Sequence, residues 1–520
     1  MSRRAYRWVV WLLTAALGSV SLMWAFLTPG FHAPDEPQHF NSVLRLLRGD
    51  GWPEPGEAYL TVGTMTAAAQ AGFAPGFESM ITVEPVPRDE RAVVTDLDEP
   101  WPDAASPAHD QMTQHPPGYY TLGAGLLWVL SAQDWRWDDQ LLALRLLGVA
   151  LTVGLVPLTA ATALELTRSR SAAATGAALP LAIPQFGHVA GTVTNDVLTT
   201  AAGALVVWLA ARALARGSSL RLATGLGAAL GLGLASKGLL IAGIPMVAVA
   251  LLVAPAPRRR DRWLRSGLAM AVAFTIGGWW WLRNILVHGT VQPAGQPGLP
   301  DATEPVTTGV LTFLRAAASI MSQSFWGNFG WLDVPIPGVW VVVGQTVLVV
   351  SLVAAVVWAR RAHRVGQLAT LWILPLGILA IVLTAVWQSH QRTGQLPALQ
   401  GRYLFSSLAV IGATVSAAVV LIPPRLRRAM PLAATATAVA SAIAALAFAL
   451  GTMYASDGAS WGVAWARWAS WSAVPPGWLV AGAALLVASC VAALAAAAAA
   501  LRPDAPADHT PGPPGSPAPA

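Results

Sequence analysis

Long apolar runs recur along almost the whole sequence and decide what kind of fold it can adopt. Hydrophobic residues make up 55% of the 520 residues and charged residues only 11%, which excludes a chain of ordinary soluble domains. About 20 apolar residues cross the ~30 Å core of a bilayer as a helix, with every backbone polar group bonded internally. Runs of this kind occupy 8–27, 140–166, 172–192, 196–215, 222–236, 238–254, 266–283, 338–358, 366–387, 403–422, 430–452 and 476–501. We therefore predict an all-α polytopic membrane protein with about 12 transmembrane helices.

A further apolar run, 118–132, is expected to lie on the membrane without crossing it. In that case 20 of the 32 basic residues fall in inner segments, and 22 of the 26 acidic residues lie on the outer side or at outer helix ends. If the run crossed, the basic cluster 258–265 would face outward, against the cytoplasmic bias of Arg and Lys. The same charge pattern makes 222–254 a tight helical hairpin. The predicted location is the cytoplasmic membrane, with both termini cytoplasmic.

The connections between the runs differ in size. Two outer loops are large, 28–139 and 284–337, and the first contains an amphipathic segment, 37–48, that predicts an interfacial helix. Residues 1–27 have no small-residue cleavage site and are expected to remain as a membrane anchor. The segment 502–520, rich in Pro, Ala and Gly, is expected to be a disordered cytoplasmic tail.

Composition also excludes several kinds of chemistry. The single cysteine, Cys490, lies in an apolar run, so a disulfide framework, a Cys-ligated zinc site and an iron–sulfur cluster are excluded. The net charge of +6 does not indicate a nucleic-acid partner, because the basic residues punctuate the apolar runs and form no pooled patch.

The first outer loop opens with two carboxylates at the start of the interfacial helix. Asp35 and Glu36 precede its first turn, where the helix dipole favours ionised carboxylates, and an ionised Asp35 could act as general base on an acceptor hydroxyl. Simple capping of the helix explains the same pattern equally well. His39 lies one turn further on, so Asp35 and His39 together could also hold a divalent metal such as Mg or Mn, although two such residues are weak evidence.

Other candidate residues fall at outer ends of the apolar runs. His115, Tyr119 and Tyr120 begin the surface run, where tyrosines are also expected as an aromatic belt. Asn195 and Asp196 lie at the start of a span, where Asn195 or Thr194 could merely cap the helix.

Cations and aromatic residues at the outer boundary form a second group of candidates. Lys237, the only lysine, and Arg283 and Arg402 could bind a phosphate, and snorkelling to lipid headgroups is the alternative for the arginines. Gln400 and Tyr403 flank Arg402. Aromatic residues between 324 and 333 suit a sugar, an isoprenoid chain or the membrane interface; the candidates there are Trp326, Asn328 and Trp331.

With these motifs assembled, the chain resembles the GT-C superfamily of polytopic glycosyltransferases, and most closely the bacterial membrane-protein family called domain of unknown function 2142. The resemblance covers roughly residues 8–425. It rests on six motifs in the same order: Pro34-Asp35-Glu36-x-x-His39-Phe40, a Pro-x-x-Tyr element within Pro116 to Tyr120, Asn195-Asp196, Lys237, the segment Ser324 to Trp331, and Gln400-Gly401-Arg402-Tyr403.

The resemblance implies a GT-C-like catalytic module over 1–425, followed by further transmembrane helices over 426–501. It implies an inverting enzyme that transfers a sugar from a polyprenyl-phosphate donor to an envelope glycan or lipid acceptor on the extracellular face. Asp35, with Glu36 and His39, would form the catalytic group, and Lys237, Arg283 and Arg402 would bind the donor phosphate. The substrate-binding residues implied are His115, Tyr119, Tyr120, Asn195, Asp196, Trp326, Asn328, Trp331, Gln400 and Tyr403. The Asp35-Glu36 doublet differs from the Asp-x-Asp of metal-dependent members, so no cofactor is firmly expected.

Two other functions remain compatible with the sequence. A transporter or flippase of lipid-linked saccharides would favour ionisable residues in mid-span and two similar halves, and the sequence shows neither. A non-catalytic scaffold for envelope-polymer assembly would tolerate the loss of the outer carboxylates. Replacement of Asp35 by Asn distinguishes the enzyme from the scaffold.

Overall fold

The computed structural model describes residues 1–73, 84–98, 105–304, 306–455 and 458–501, and helices dominate these ranges. The helices of the first half are α1 (Arg3–Leu27), α2 (Glu36–Arg48), α3 (Val62–Gln70), α4 (Val94–Asp98), α5 (Gly118–Val129), α6 (Trp137–Thr152), α7 (Leu155–Thr167), α8 (Arg170–Ala177), α9 (Leu179–Ala182), α10 (Pro184–Ala190), α11 (Asp196–Arg216) and α12 (Leu220–Leu234). Those of the second half are α13 (Gly243–Val253), α14 (Arg259–Ala273), α15 (Trp279–His288), α16 (Val310–Trp326), α17 (Gly338–Arg361), α18 (Val365–Thr393), α19 (Leu408–Val420), α20 (Pro424–Tyr454), α21 (Trp461–Trp471) and α22 (Pro476–Ala499).

Strands contribute little to the described part of the chain. A short antiparallel pair joins β1 (Tyr59–Thr61) to β2 (Ala105–His109), and a second joins β3 (Asn328–Phe329) to β4 (Val334–Pro335). The predicted all-α class is therefore confirmed. The predicted disordered tail, 502–520, lies outside the described residues.

Eight helical segments in the described ranges are long and apolar enough to cross a membrane, so the protein is a multi-pass membrane protein. They are Arg3–Leu27, Trp137–Thr167, Asp196–Arg216, Gly338–Arg361, Val365–Thr393, Gly401–Val420, Pro424–Tyr454 and Pro476–Ala499. Two shorter apolar helices, Leu220–Leu234 and Gly238–Val253, match the predicted hairpin. The orientation of the termini and a total of about 12 crossings stay predictions.

The remaining two predicted spans are interrupted helices. The predicted span 172–192 consists of α8, α9 and α10, because Pro180 and Pro184 supply no backbone N–H to a continuing helix and Ile183 between them is extended. The predicted span 266–283 runs through α14 and α15, which a five-residue π turn, Phe274–Gly278, joins. Apolar composition alone does not reveal such interruptions.

The first outer loop is folded onto the ends of the membrane helices. The predicted helix 37–48 is present as α2, but it is more enclosed than an interfacial helix, since its polar residues Asn41 and Ser42 are buried as well as Phe40 and Val43. The apolar run 118–132 forms α5, whose 12 residues span ~18 Å and are too short to cross a bilayer alone.

The buried carboxylate of Asp110 binds polar side chains of α2. Asp110 accepts hydrogen bonds from the Asn41 amide at 2.7 Å and the Ser42 hydroxyl at 2.9 Å. Burial raises the pKa of Asp110, although these bonds and the nearby Arg45 oppose the shift.

A buried ion pair fixes the start of α2 against the end of α1. The Nε and Nη2 groups of Arg145 donate to the two oxygens of the Glu36 carboxylate, at 2.8 and 2.7 Å, and Arg145 also donates to the carbonyls of Ala25, Thr28 and Pro29. The Glu36 carboxylate is fully buried and also accepts from a backbone N–H of the 190–196 loop at 3.0 Å. Four parts of the chain, the end of α1, the start of α2, α6 and the loop before α11, are thereby joined next to Asp35.

We predict that Arg145→Met destabilises the protein by about 3–5 kcal/mol, because Glu36 is left as an uncompensated buried charge. The double variant Glu36→Gln/Arg145→Met should lose less than the single one. The measurement is the midpoint of thermal unfolding in lipid nanodiscs. The matched control is Arg392→Met, whose partner Asp301 is 73% exposed; a loss for Arg145→Met no larger than that of this control contradicts the role given to the buried pair.

Candidate active site

A cavity opens beside the start of α2 and is lined by distant parts of the chain. Its walls include the start of α2, the turn around 111–115, the turn between α12 and α13, one end of α18 and the segment 397–403. Of the residues predicted from the sequence, the cavity brings together Asp35, His39, His115, Asn195, Lys237, Gln400, Arg402 and Tyr403. The structure thus collects in one place residues that lie up to 368 positions apart in the sequence.

Asp35 is the only acidic residue among the described residues that line this cavity. Its backbone φ of 62° lies in the left-handed region, which costs a non-glycine residue ~1–2 kcal/mol. The side chain makes no capping bond to α2; its Oδ1 accepts a hydrogen bond from the Gln111 amide at 2.9 Å, and 31% of it is exposed. The capping interpretation of Asp35 therefore does not describe the structure, in which the carboxylate faces the cavity.

Two cations that line the cavity, Lys237 and Arg402, meet one buried carboxylate, Asp196, which does not itself line it. The Lys237 Nζ lies 2.6 Å from Asp196 Oδ1, and the Arg402 Nε lies 3.4 Å from Asp196 Oδ2. The Asp196 and Arg402 side chains are only 3% and 4% exposed. Burial lowers the pKa of Lys237, and Asp196 opposes that shift by favouring the charged ammonium.

Asp35 and Arg402 are only loosely paired. The Arg402 guanidinium reaches Asp35 Oδ2 at 3.5 Å, the outer limit of a hydrogen bond. Tyr403 lies against both cations, with its ring centroid 4.9 Å from Lys237 Nζ and 6.0 Å from the Arg402 guanidinium carbon. The cations are thus held in place while the bond between Arg402 and Asp35 remains easy to exchange.

The Asn195-Asp196 motif positions Lys237 rather than capping α11. The Asn195 amide donates to the Ser236 carbonyl at 3.3 Å, and the Ser236 hydroxyl donates to the Asn195 carbonyl at 3.0 Å. Thr199 adds a hydroxyl bond to Ser236 at 3.0 Å. Asn195 makes no side-chain capping bond to α11, so capping does not explain Asn195, whereas the Thr194 hydroxyl accepts a hydrogen bond from the Asp196 backbone N–H at 3.3 Å.

Two buried histidines border the cavity in their neutral form. The His39 Nδ1 lies 2.9 Å from the Tyr120 hydroxyl, and the two rings stack. Burial lowers the pKa of His39 well below its usual value, and the positive charges of Lys237 and Arg402 lower it further. Burial and Lys237 lower the pKa of His115 to about 3. Both rings are therefore uncharged at neutral pH and can orient a substrate without adding positive charge.

Several predicted site residues lie outside the cavity lining. Glu36 is held by Arg145, away from Asp35, so the structure separates the two carboxylates of the doublet. Arg283 is paired with Glu54 in the first outer loop and contacts the Trp280 ring. A structural role explains both residues.

The predicted residues Tyr119, Tyr120, Trp326, Asn328 and Trp331 do not line the cavity and make structural contacts. Tyr119 and Tyr120 are fully buried, and Tyr120 binds His39. Trp331 donates its indole N–H to the Phe31 carbonyl at 2.8 Å, and the Asn328 backbone N–H donates to a glutamine of α10 at 2.7 Å. Trp326 is 7% exposed and packs against Gly344 of α17.

The cavity also contains residues that the sequence did not indicate. Amide side chains line it at Gln111, Gln114, Gln292 and Gln296, and Ser389 of α18 contributes a hydroxyl. Glutamines in outer loops carry no charge or spacing signal, so only the fold reveals their position.

The residues of the cavity suit an anion better than a divalent cation. Among the described residues, no group of three His, Cys, Asp or Glu side chains could hold a metal ion. Asp35 faces the Gln111 amide and the Arg402 guanidinium, and Asp196 faces two cations. The proposed Asp35–His39 metal site therefore does not fit this arrangement, in which positive side chains already surround both carboxylates.

An apolar groove lies next to the cavity on the side of the membrane helices. It runs between α16, α17, α18 and α19 and is lined by side chains such as Phe325, Leu348, Trp372 and Leu383. Leu404, which lines the groove, directly follows Tyr403, which lines the cavity. A polar cavity with two cations thus adjoins an apolar groove.

Comparisons with known proteins give one family and several distant structures. A family model described as "Predicted membrane protein (DUF2142)" matches residues 19–411, and this confirms the predicted resemblance. No curated protein matches the sequence. The boundary predicted at residue 425 is not tested by the family match.

The solved structures that are similar to the chain have low sequence identity to it. ArnT from Cupriavidus metallidurans bound to undecaprenyl phosphate is 15% identical, with a TM-score of 0.46 over 95% of this chain and 78% of that chain. The archaeal oligosaccharyltransferase AglB from Archaeoglobus fulgidus, in complex with an inhibitory peptide and a dolichol-phosphate, is 13% identical, with a TM-score of 0.47 over 86% of this chain and 56% of that chain.

The low pKa of His115 predicts a pH-dependent loss of stability. The folded imidazole stays neutral down to a pH of about 3, whereas an unfolded histidine binds a proton near pH ~6.5. The stability that His115 contributes is therefore present above pH ~6.5 and is lost as the pH falls towards the folded value. Between about pH 8 and about pH 5, the wild type should lose ~2 kcal/mol more than His115→Gln.

The measurement is thermal unfolding at several pH values in nanodiscs. His363→Gln, at an exposed position between α17 and α18, is the matched control and should follow the wild type. Equal pH dependence in all three proteins would show that His115 does not titrate in this way.

Proposed function

Because the chain belongs to the DUF2142 family of membrane proteins and holds a partly exposed carboxylate beside two buried cations, we propose that it is a membrane glycosyltransferase. It transfers a sugar from a polyprenyl-phosphate donor to an acceptor hydroxyl at the extracellular membrane surface. The observation that carries this proposal is the cavity in which Asp35 faces Arg402 and Lys237 beside an apolar groove. The acceptor belongs to the cell envelope, as a glycan or a lipid.

The cations suit the phosphate of the donor. A phosphate presents several acceptor oxygens, and guanidinium and ammonium groups are its usual partners. Lys237 uses one of its three donors on Asp196, and both contacts from Arg402 to carboxylates are longer than 3.3 Å. Both cations can therefore still donate hydrogen bonds to a further anion.

The apolar groove suits the isoprenoid tail. Its wall is formed by aliphatic and aromatic side chains of the membrane helices. One of them, Leu404, directly follows Tyr403 of the cavity. A tail in the groove places the attached phosphate at Arg402. The sugar then lies in the cavity, between the cations and Asp35.

Asp35 is the residue best placed to act as base. When the donor phosphate binds Arg402, it competes with the loose 3.5 Å contact to Asp35 and leaves that carboxylate free. The acceptor hydroxyl then gives its proton to Asp35 while its oxygen bonds to the anomeric carbon. The bond from that carbon to the phosphate oxygen breaks, and the electron pair leaves on the phosphate, which Arg402 and Lys237 stabilise.

The other acidic and basic groups are less suited to that step. Asp196 is 3% exposed and already binds both cations. His39 is neutral, but its Nδ1 is engaged by Tyr120 and its pKa is low, so it is a weak base that orients the acceptor. We assign His115, Asn195, Gln400 and Tyr403 to substrate positioning around the cavity.

We predict that Asp35→Asn reduces the turnover of the donor by roughly 10²- to 10⁴-fold, the usual contribution of a general base. The assay incubates the full chain in nanodiscs with a panel of polyprenyl-phosphate sugars and follows free polyprenyl phosphate by mass spectrometry. Asp50→Asn, an exposed carboxylate just after α2, is the control and should keep full activity. If wild type consumes a donor and Asp35→Asn consumes it equally fast, the base lies elsewhere; if no donor is consumed and the host envelope is unaffected by Asp35→Asn, the scaffold function is favoured.

Loss of the cations should have a different signature from loss of the base. Lys237→Gln and Arg402→Gln are each expected to lower kcat by about 10²- to 10³-fold and to weaken binding of polyprenyl phosphate, whereas Asp35→Asn should still bind it. Binding is measured by native mass spectrometry in detergent. Arg392→Gln, an exposed outer arginine, is the control. Unchanged binding in both cation variants would remove the phosphate role from this site.

A further inference from the structure

A second cavity lies at the end of the helical bundle opposite the candidate active site. It is bordered by the first residues of α1, the turn from α7 to α8, the end of α11 and the start of α20. α11 connects the two regions directly, since it begins at Asp196 and ends at Arg216 after 21 residues, or ~30 Å. The charge pattern of the sequence assigns this end to the cytoplasm.

Positive charge in this cavity is far from balanced. Among the described residues, seven arginines line it against one acidic residue, Glu165. Glu165 is engaged by Arg216 at 2.7 Å and by Arg212 at 3.6 Å. Within the described ranges, the lining arginines at positions 3, 7, 168 and 428 form no ion pair. An anion that enters meets several uncompensated guanidinium groups.

A groove adjoins the arginine cavity between α1 and α22. Its apolar part is lined by Trp8, Leu12 and a row of alanines of α22 that includes Ala495, and Arg4 and Arg428 line its polar part. The groove and the cavity share Met1 and Arg428 as lining residues. Trp8 is 54% exposed, which suits a residue that contacts lipid.

We propose that the cavity and the groove together bind an anionic phospholipid, with its phosphate among the arginines and an acyl chain along α1 and α22. Basic pockets between membrane helices on the cytoplasmic side are suited to anionic headgroups. The bias of arginine towards the cytoplasm does not by itself explain the arrangement, because the exposed Arg258, Arg259 and Arg260 at the start of α14 satisfy that bias without lining this cavity. This lipid site is separate from the donor site and does not depend on the proposed transferase activity.

The test compares two triple variants that remove the same charge from the same end of the protein. Arg3→Gln/Arg7→Gln/Arg428→Gln alters the cavity, and Arg258→Gln/Arg259→Gln/Arg260→Gln is the control. The detergent-purified full chain is titrated with phosphatidylglycerol and, separately, with phosphatidylcholine of the same acyl chains, and bound lipid is counted by native mass spectrometry. Wild type and control should prefer phosphatidylglycerol, and the cavity variant should bind it roughly 10- to 100-fold more weakly.

A second pair of variants tests the groove without changing any charge. Ala495→Trp fills the groove, whereas Ala498→Trp places the same side chain on an exposed face of α22 that does not line it. Only Ala495→Trp should weaken phosphatidylglycerol binding. This pair also decides the question if the triple variant fails to fold.

A soluble competitor separates a lipid from a free anion. Inorganic phosphate and glycerophosphoglycerol present the same phosphate chemistry without acyl chains, and neither should displace phosphatidylglycerol at equal concentration. Displacement by either one would assign the cavity to a soluble anion and overturn the proposal. Equal affinity of wild type for the two lipids, or equal losses in both triple variants, would also overturn it.

Discussion

The candidate active site depends on one buried carboxylate that holds two cations together. Lys237 and Arg402 lie in segments far apart in the sequence, and without Asp196 their charges would repel each other in a region of low dielectric. Asp196 is itself almost fully buried and would be unstable there without both partners. The turn at Lys237 is fixed further by Asn195 and Ser236. The three charged groups therefore stabilise one another. Asp196 thereby keeps Lys237 and Arg402 side by side in the lining of the cavity.

Adjacent carboxylates at the start of α2 have opposite surroundings. Glu36 is fully buried and bound by Arg145 through two bonds, so its charge stabilises the fold. Asp35 has a left-handed backbone and a loose contact to Arg402, and about a third of its side chain is exposed, so its charge remains available. A single peptide step thus separates a structural ion pair from a group that can exchange partners. The left-handed backbone at Asp35 is maintained because the next residue, Glu36, is anchored by Arg145.

Sequence patterns revealed the parts of this arrangement that depend on composition and order. The apolar runs located most of the membrane helices, and the rarity of lysine and of outer cations singled out Lys237 and Arg402. The sequence did not reveal that Pro180 and Pro184 divide one predicted span, since the run stays apolar. It also did not separate Glu36 from Asp35, because the partner of Glu36 is Arg145, 109 positions away on a different helix. Gln111 was missed for the same reason, since its only signal is its contact with Asp35.

The two charged cavities suggest how a protein can bind anions for different lengths of time. At the candidate active site, two cations face two carboxylates, so the donor phosphate that we propose there would compete with Asp35 for Arg402 and would leave again when the carboxylate returns. At the opposite end, seven arginines face a single carboxylate that Arg216 and Arg212 already engage, so a bound anion has no internal competitor among the described residues. A balanced site suits a donor that must be exchanged in every cycle, whereas an unbalanced one suits a lipid that stays. The ratio of acidic to basic groups, more than the number of cations, therefore distinguishes a site of turnover from a site of retention.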